Sequence, residues 1–331
     1  MGKLKMNKFS SIGRFRNVLQ GVSRYCYEFG KGLPVYNYIG TVKLHGTNAG
    51  IRRTASGKLV PQSRNRILDV TCDNYGFAQY VASNEDAIRE IFDSFFIESQ
   101  DVTLYGEWAG GDIQSNVALT QVDPHFTVFN VKVDGEYHEI HYPLPVEMQN
   151  NEAGIYNIFQ IPYFEIAVDF SSPDAAIHEI NKLTDEVEEN CPWGKFHGVD
   201  GIGEGIVWVP REFPNISDLW FKTKGGKHSG KPKVKGIKAK VSVEKANSIA
   251  ECMKLVLPEW RLQQGLEHLR ENYYDLDVSS TGPFLKWVSQ DILKEEIDTI
   301  TENGLDWKDM HKAINARARK FYLDYCNGTE L

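Results

Sequence analysis

Apolar residues recur along this chain with two different periods, and the change from one to the other falls near residue 240. Before it, short apolar or alternating runs are bounded by Gly, Pro, Asn and Asp. That is the pattern of β-strands, whose side chains alternate between faces. These runs predict strands at Ile39 to Val42, Val102 to Tyr105, Phe126 to Val133 and Ile206 to Val209, with Asp134-Gly135 turning a hairpin. Helical periodicity intervenes at Glu85 to Ser94 and Pro173 to Glu189. Past residue 240 the helical period takes over: Val243 to Leu257, Glu259 to Asn272, Phe284 to Glu302 and Trp307 to Tyr325, broken at Pro258, Gly282-Pro283 and Gly304. The expectation is an α+β chain in two parts. A domain of antiparallel sheets and helices spans residues 1–240, and a small all-helical domain spans 241–331.

Polar strings stand at the ends of those strands. Tyr38-Ile39-Gly40-Thr41-Val42-Lys43-Leu44-His45-Gly46-Thr47-Asn48 delivers one lysine from a buried strand into a short polar turn. A free lysine titrates near 10.4, so presenting a neutral amine at pH 7 costs about 4.6 kcal/mol unless cations, a metal or desolvation lower that value. Leu59 to Arg66 ends a strand with Arg64 and Arg66, and guanidinium forks match phosphate and carboxylate oxygens. Glu107 follows an apolar run amid glycines, and Glu204 lies between Gly203 and Gly205 at a strand entrance. Glycines there let a ligand or backbone come close. Lys222 and Lys224 alternate, so both face one side of a strand. Taken singly, these residues also suit plain roles: a surface lysine beside a turn, a solvated strand end, a turn glutamate, a lysine-bearing edge.

In this order the strings resemble the motifs of the covalent nucleotidyltransferases, the superfamily of polynucleotide ligases and capping enzymes. Within it they resemble the ATP-dependent RNA ligases of the RNA ligase 2 family, known mainly from bacteriophages. The resemblance implies a nucleotidyltransferase domain in which Lys43, in K-x-H-G-T-N, attacks the α-phosphate of ATP. It implies that Leu44, His45, Gly46 and Asn48 adjoin the nucleotide, and that Asn48 and Arg64 also meet the nucleic-acid end. Glu107 then serves the ribose and metal, Glu204 the metal, and Lys222 and Lys224 the phosphates. Phe126-Thr127-Val128-Phe129-Asn130-Val131 is similar to the strand whose second aromatic, here Phe129, stacks on adenine; a core phenylalanine is the plain alternative. Val42 and Asn130 depart from the family, which often has acidic residues there. The tail resembles the helical C-terminal domain of the same family through Glu259-Trp260-Arg261-Leu262 and Val288-Ser289-Gln290-Asp291-Ile292-Leu293. By that likeness Arg261 and Asp291 engage a nicked duplex, although an ordinary ion pair between helices would read the same way. Strands for an OB-fold, common after this domain in capping enzymes and DNA ligases, are not visible in the tail.

Composition changes this picture in one respect. The 331 residues carry a net charge of −8, with 37 basic against 45 acidic residues, which at first argues against a nucleic-acid partner. Eight of the lysines, however, fall between Lys222 and Lys240 with no acidic residue among them. Clusters of that kind supply the salt-dependent part of nucleic-acid affinity, and Lys227 is assigned to it. Gly225 to Lys231 fits G-x-x-x-x-G-K, but Pro232 replaces the required Ser or Thr and rules out a P-loop. His138 and His141, three apart on the hairpin's second strand, are expected on opposite faces and not on one zinc. Five scattered cysteines read as reduced thiols of a cytosol-like compartment. No signal peptide, lipidation motif or membrane span is evident, so a soluble cytoplasmic protein, or a host-cytoplasmic one if viral, is expected.

These readings converge on an enzyme: an RNA ligase using ATP and Mg²⁺ or Mn²⁺, acting as a monomer on RNA ends or nicked duplex RNA. The alternatives are a DNA ligase or capping-type transferase, and a catalytically silent nucleic-acid-binding relative.

Overall fold

A computed structural model describes residues 5–114, 117–226, 243–272, 274–303 and 305–328. The chain divides into two compact units, Met1–Gly225 and Gly226–Leu331. The boundary expected at residue 240, the cluster from Lys227 to Lys240 and most of the rejected P-loop string lie outside the described residues.

The first unit is built on two sheets. Strands β1 (Val35–Lys43), β8 (Phe164–Asp169), β9 (Gly205–Pro210) and β10 (Phe221–Lys224) form one, in the order β10-β9-β1-β8. The other runs β3 (Leu59–Ser63), β2 (Thr47–Arg53), β4 (Val102–Ala109), β5 (His125–Val133) and β6 (Glu136–Tyr137), with β7 (Ile155–Asn157) parallel to β5. All other pairings are antiparallel. Only Leu44, His45 and Gly46 separate β1 from β2, so this short turn carries the chain from one sheet to the other. Gly46 is required there: a Cβ on it would lie 2.4 Å from the carbonyl oxygen of Trp108. Helices α2 (Phe77–Ser83), α3 (Glu85–Phe95), α4 (Asp174–Glu189) and α5 (Pro192–Phe196) bury apolar side chains into the same core.

Two expectations need correction. Helix α1 (Phe15–Glu28) was not foreseen in the pattern; it buries Val18, Val22 and Cys26 at helical spacing, but its N-cap Arg14 makes no side-chain capping bond. Without a capping residue, and with Gly21 inside it, the segment has no helix start signal. The second correction concerns His138 and His141. The hairpin does turn at Asp134-Gly135, both with positive φ, but β6 ends at Tyr137 and residues Glu139–His141 form a 3₁₀ turn. The two rings therefore do not sit on opposite faces of a strand; their centroids are 6.2 Å apart.

The regular structure described in the second unit is all helical: α6 (Val243–Val256), α7 (Glu259–Glu271), α8 (Thr281–Glu302) and α9 (Trp307–Cys326). These agree closely with the predicted stretches. Its core gathers Val256, Leu262, Leu266, Leu269, Phe284, Val288, Ile292, Ile314 and Tyr322 from all four. Among the described residues no helix is long and apolar enough to cross a membrane.

Candidate active site

Lys43 is the last residue of β1 and pairs with Gly205, the first residue of β9. Lys224, at the end of β10, pairs with the same Gly205 from the other side. Glu204 immediately precedes Gly205, so its carboxylate lies between the two lysines. Lys43 Nζ is 2.5 Å from Glu204 Oε2 and Lys224 Nζ is 2.9 Å from Oε1. His45 Nδ1 reaches Oε2 at 3.2 Å. Gly205 makes this convergence possible. Its φ is +153°, and a Cβ would fall 2.0 Å from the carbonyl oxygen of Thr223.

The second sheet supplies the other wall. Asn48 on β2 pairs with Glu107 on β4, and the Gly46 amide donates to Glu107 Oε1 at 3.1 Å. The two carboxylates have opposite electrostatics. Burial would raise Glu204, which is 2% exposed, but Lys224, Lys43 and His45 outweigh it and hold the group well below the ordinary carboxylate range. Glu107 is pushed up to about 7, by burial first and by the charge of Glu204, with Lys43, the Gly46 amide and Arg64 only partly opposing. A half-buried carboxyl near neutrality beside an ionised one marks a place where added positive charge would be stabilising.

Other predicted residues take these positions. Arg64 is exposed at the end of β3; it bears on Glu107 electrostatically and its Nη2 donates to Ser11 Oγ at 3.4 Å. Lys222 stands two residues from Lys224 on β10, as the alternation predicts, and its backbone amide donates to the Gly13 carbonyl at 3.0 Å. Leu44 is a core side chain, so any ligand contact it makes comes from its main chain. Phe129 is the extra residue of a β-bulge on β5, because pairing passes from Tyr105 with Asn130 to Gly106 with Val128. Its ring meets Phe9 edge-on at 5.1 Å, and Phe9 stacks on Trp220 at 5.8 Å.

Arg261 and Asp291 belong to the second unit. Arg261 is 4% exposed; its Nη1 donates to Asp291 Oδ2 at 3.0 Å and its Nη2 to Glu296 Oε1 at 2.8 Å.

Sequence reasoning missed three contributors. Phe9 gives no signal beyond its aromatic character. Asn74 is buried and its Nδ2 donates to Thr47 Oγ1 at 3.2 Å, supporting the turn after the lysine. Glu296 could have been suspected only as an acid falling in line with Val288, Ile292 and Ile300 on the helix's apolar stripe.

With this geometry in hand, a family model described as RNA ligase matches residues 37–224, from β1 through β10. This chain belongs to the RNA ligase family. The matched span contains Lys43, Arg64, Glu107, Phe129, Glu204, Lys222 and Lys224, but neither Arg261 nor Asp291. A comparison with curated proteins gave no match. Among solved structures, the chain is similar to variants of Naegleria gruberi RNA ligase. One, with AMP and Mn, is 18% identical at a TM-score of 0.46, covering 67% of this chain and 57% of that one. Another, with ATP and Mn, is 18% identical at 0.46, covering 69% and 59%. The same enzyme with pyrophosphate is 17% identical at 0.44, covering 69% and 62%. This chain thus spans 57% to 62% of the length of those proteins.

Proposed function

We propose that this protein is an ATP-dependent RNA ligase that joins 3′-hydroxyl to 5′-phosphate ends, with nicks in duplex RNA as its substrate. The observation that carries the reading is the convergence of Lys43, Lys224 and His45 on Glu204, opposite Glu107 on the facing sheet. A lysine fixed at the end of a buried strand with a second lysine beside it suits attack on a phosphate, because nucleotidyl transfer is accelerated chiefly by positioning and by neutralising phosphate oxygens.

In the first step Lys43 Nζ bonds to the α-phosphorus of ATP, the bond to the β-phosphate oxygen breaks, pyrophosphate departs and the amine sheds a proton. In the second, an oxygen of the RNA 5′-phosphate displaces the lysine and accepts AMP. In the third, the 3′-hydroxyl attacks that 5′-phosphorus and AMP leaves. Lys222 and Lys224 hold phosphate oxygens, Gly46 and Glu107 hold the turn that carries the lysine, and Phe129 offers a ring for the adenine. Glu107 and Glu204 also fit a divalent ion. Among the described residues no group of three or more His, Cys, Asp or Glu could cage one, but Mg²⁺ commonly takes one or two carboxylates and completes its shell with water and phosphate. When bound, Mg²⁺ or Mn²⁺ would neutralise phosphate charge.

The test is sealing of a nicked RNA duplex with ATP or GTP and a divalent metal. The reading expects joining with ATP and none from Lys43→Ala, while Lys43→Ala still joins RNA whose 5′ end has been chemically adenylated beforehand. A wild-type protein that takes up nucleotide yet joins no RNA, or that joins nicked DNA in preference, would contradict it.

A further inference from the structure

We propose that the outer face of α1 and the segment following it bind unpaired RNA running outward from the catalytic cleft. This rests on the RNA-joining reading above. Helix α1 buries Val18, Val22 and Cys26, so its opposite face carries Arg16, Gln20, Arg24 and Tyr27 along one exposed stripe. Beyond its end come Phe29 and Lys31, also exposed. Tyr25 is 50% exposed, Tyr27 88% and Phe29 63%. One exposed ring is ordinary; three within five residues, flanked by cations, call for a ligand. The rings of Tyr25 and Phe29 lie 4.7 Å apart, and Lys31 Nζ sits 4.9 Å from the Tyr25 centroid while donating to its hydroxyl at 3.0 Å.

The charge of this region matches a phosphate backbone. Between residues 5 and 35 there are Lys5, Lys8, Arg14, Arg16, Arg24 and Lys31 against the single acid Glu28, in a chain of net charge −8. A face for a protein partner would be depleted of charge at its centre. Interleaved rings and cations instead fit single strands, because every base has a face to stack and every nucleotide a phosphate to neutralise. The helix is also placed for this role. Gly13 bridges to Phe221, and the Lys222 amide donates to the Gly13 carbonyl, so α1 starts beside the strand that bears Lys222 and Lys224. From there its 14 residues lead about 21 Å away, room for several stacked or extended nucleotides.

The experiment compares the full chain with Tyr27→Ala/Phe29→Ala and Arg24→Ala/Lys31→Ala. Uptake of AMP from ATP alone, which needs no RNA, should be unchanged in both and reports correct folding. Binding is then measured to a nicked RNA duplex with blunt ends and to the same duplex with a single-stranded overhang of about ten nucleotides. The overhang should tighten wild-type binding at least tenfold; the aromatic variant should lose that gain and bind the blunt duplex as wild type does. The cationic variant should flatten the dependence of log affinity on log salt by about one unit or more. Blunt-duplex binding with no gain from the overhang, or a gain kept by the aromatic variant, overturns this proposal alone. Wild type that takes AMP but binds neither RNA overturns the RNA-joining reading with it. A dimer of wild type that Tyr27→Ala/Phe29→Ala converts to monomer, with the gain retained, would assign the face to a second copy of this chain instead.

Discussion

A single buried carboxylate, Glu204, organises the cations of the site, and its environment sets what substitutions will do. Placing a carboxylate at 2% exposure is costly unless charge compensates, and here Lys43, Lys224 and His45 do so. Glu204→Ala and Lys224→Ala should each slow AMP uptake roughly tenfold or more, as expected for preorganised charges at a phosphate. Lys231→Ala and Lys233→Ala should change it far less; losses as large as that of Lys222→Ala would mean that the phosphate-facing lysines are misassigned. Lys43 and Glu204 could be singled out because each sits in a short local string. Their contact was not, since they are 161 residues apart in the chain and only sheet pairing joins them. A second residue-scale prediction concerns His197, whose half-buried ring packs 4.8 Å from both His125 and Tyr156. Burial first, then His125, lowers its pKa to about 4, and burial lowers His125 as well. The unfolded chain therefore binds protons more readily than the folded one. Stability from this pair is complete above about pH 6.5 and is lost as pH falls toward 4. Thermal melts across that range should show His197→Gln with a flatter pH profile than wild type; parallel profiles would contradict the account.

At the level of elements, β1, β4, β5, β9 and the tail helices followed from periodicity, whereas α1, β2, β7, β8 and β10's neighbour at Gly13 did not. Helix α1 lacks a capping residue and carries an exposed Gly21 at its middle, so its stability comes from packing Val18, Val22 and Cys26. The Gly13 bridge to Phe221 is a tertiary contact with no local signature. The helical tail shows the opposite limit: its helices were readable, but the salt-bridge network between them was only half so. Arg261 and Asp291 were singled out on sequence grounds for the duplex, with an ordinary ion pair as the plain alternative, while Glu296, 3% exposed and held by both Arg261 and Thr299, was not noticed. Arg261→Ala would strand a buried carboxylate and should destabilise the helical unit by about 3–5 kcal/mol. Denaturant melts of Arg261→Ala and of Arg261→Ala/Glu296→Leu test this, the second variant regaining part of the loss. Equal stability of Arg261→Ala and wild type would free the guanidinium for the substrate role that the family resemblance implied. Any sealing defect of Arg261→Ala must therefore be read alongside its melt.

For the whole molecule, Lys43, His45, Arg64, Glu107, Phe129, Glu204, Lys222 and Lys224, proposed to handle the nucleotide, all lie in the first compact unit, Met1–Gly225, and within the matched span 37–224. A chain ending at Lys240 should therefore take up AMP from ATP and join pre-adenylated ends, but lose transfer of AMP to a 5′-phosphate at a nick. Full nick sealing by the shortened chain would make the helical unit dispensable. That Lys43 carries the nucleotide can be read from mass spectrometry of the intact protein after incubation with ATP and Mg²⁺, followed by peptide mapping. One AMP per chain is expected on the peptide containing Lys43, released by acid and by acidic hydroxylamine but stable to alkali, as a phosphoramidate is, with no adduct on Lys43→Ala. An AMP found on any other residue, or an equal adduct on Lys43→Ala, would contradict it.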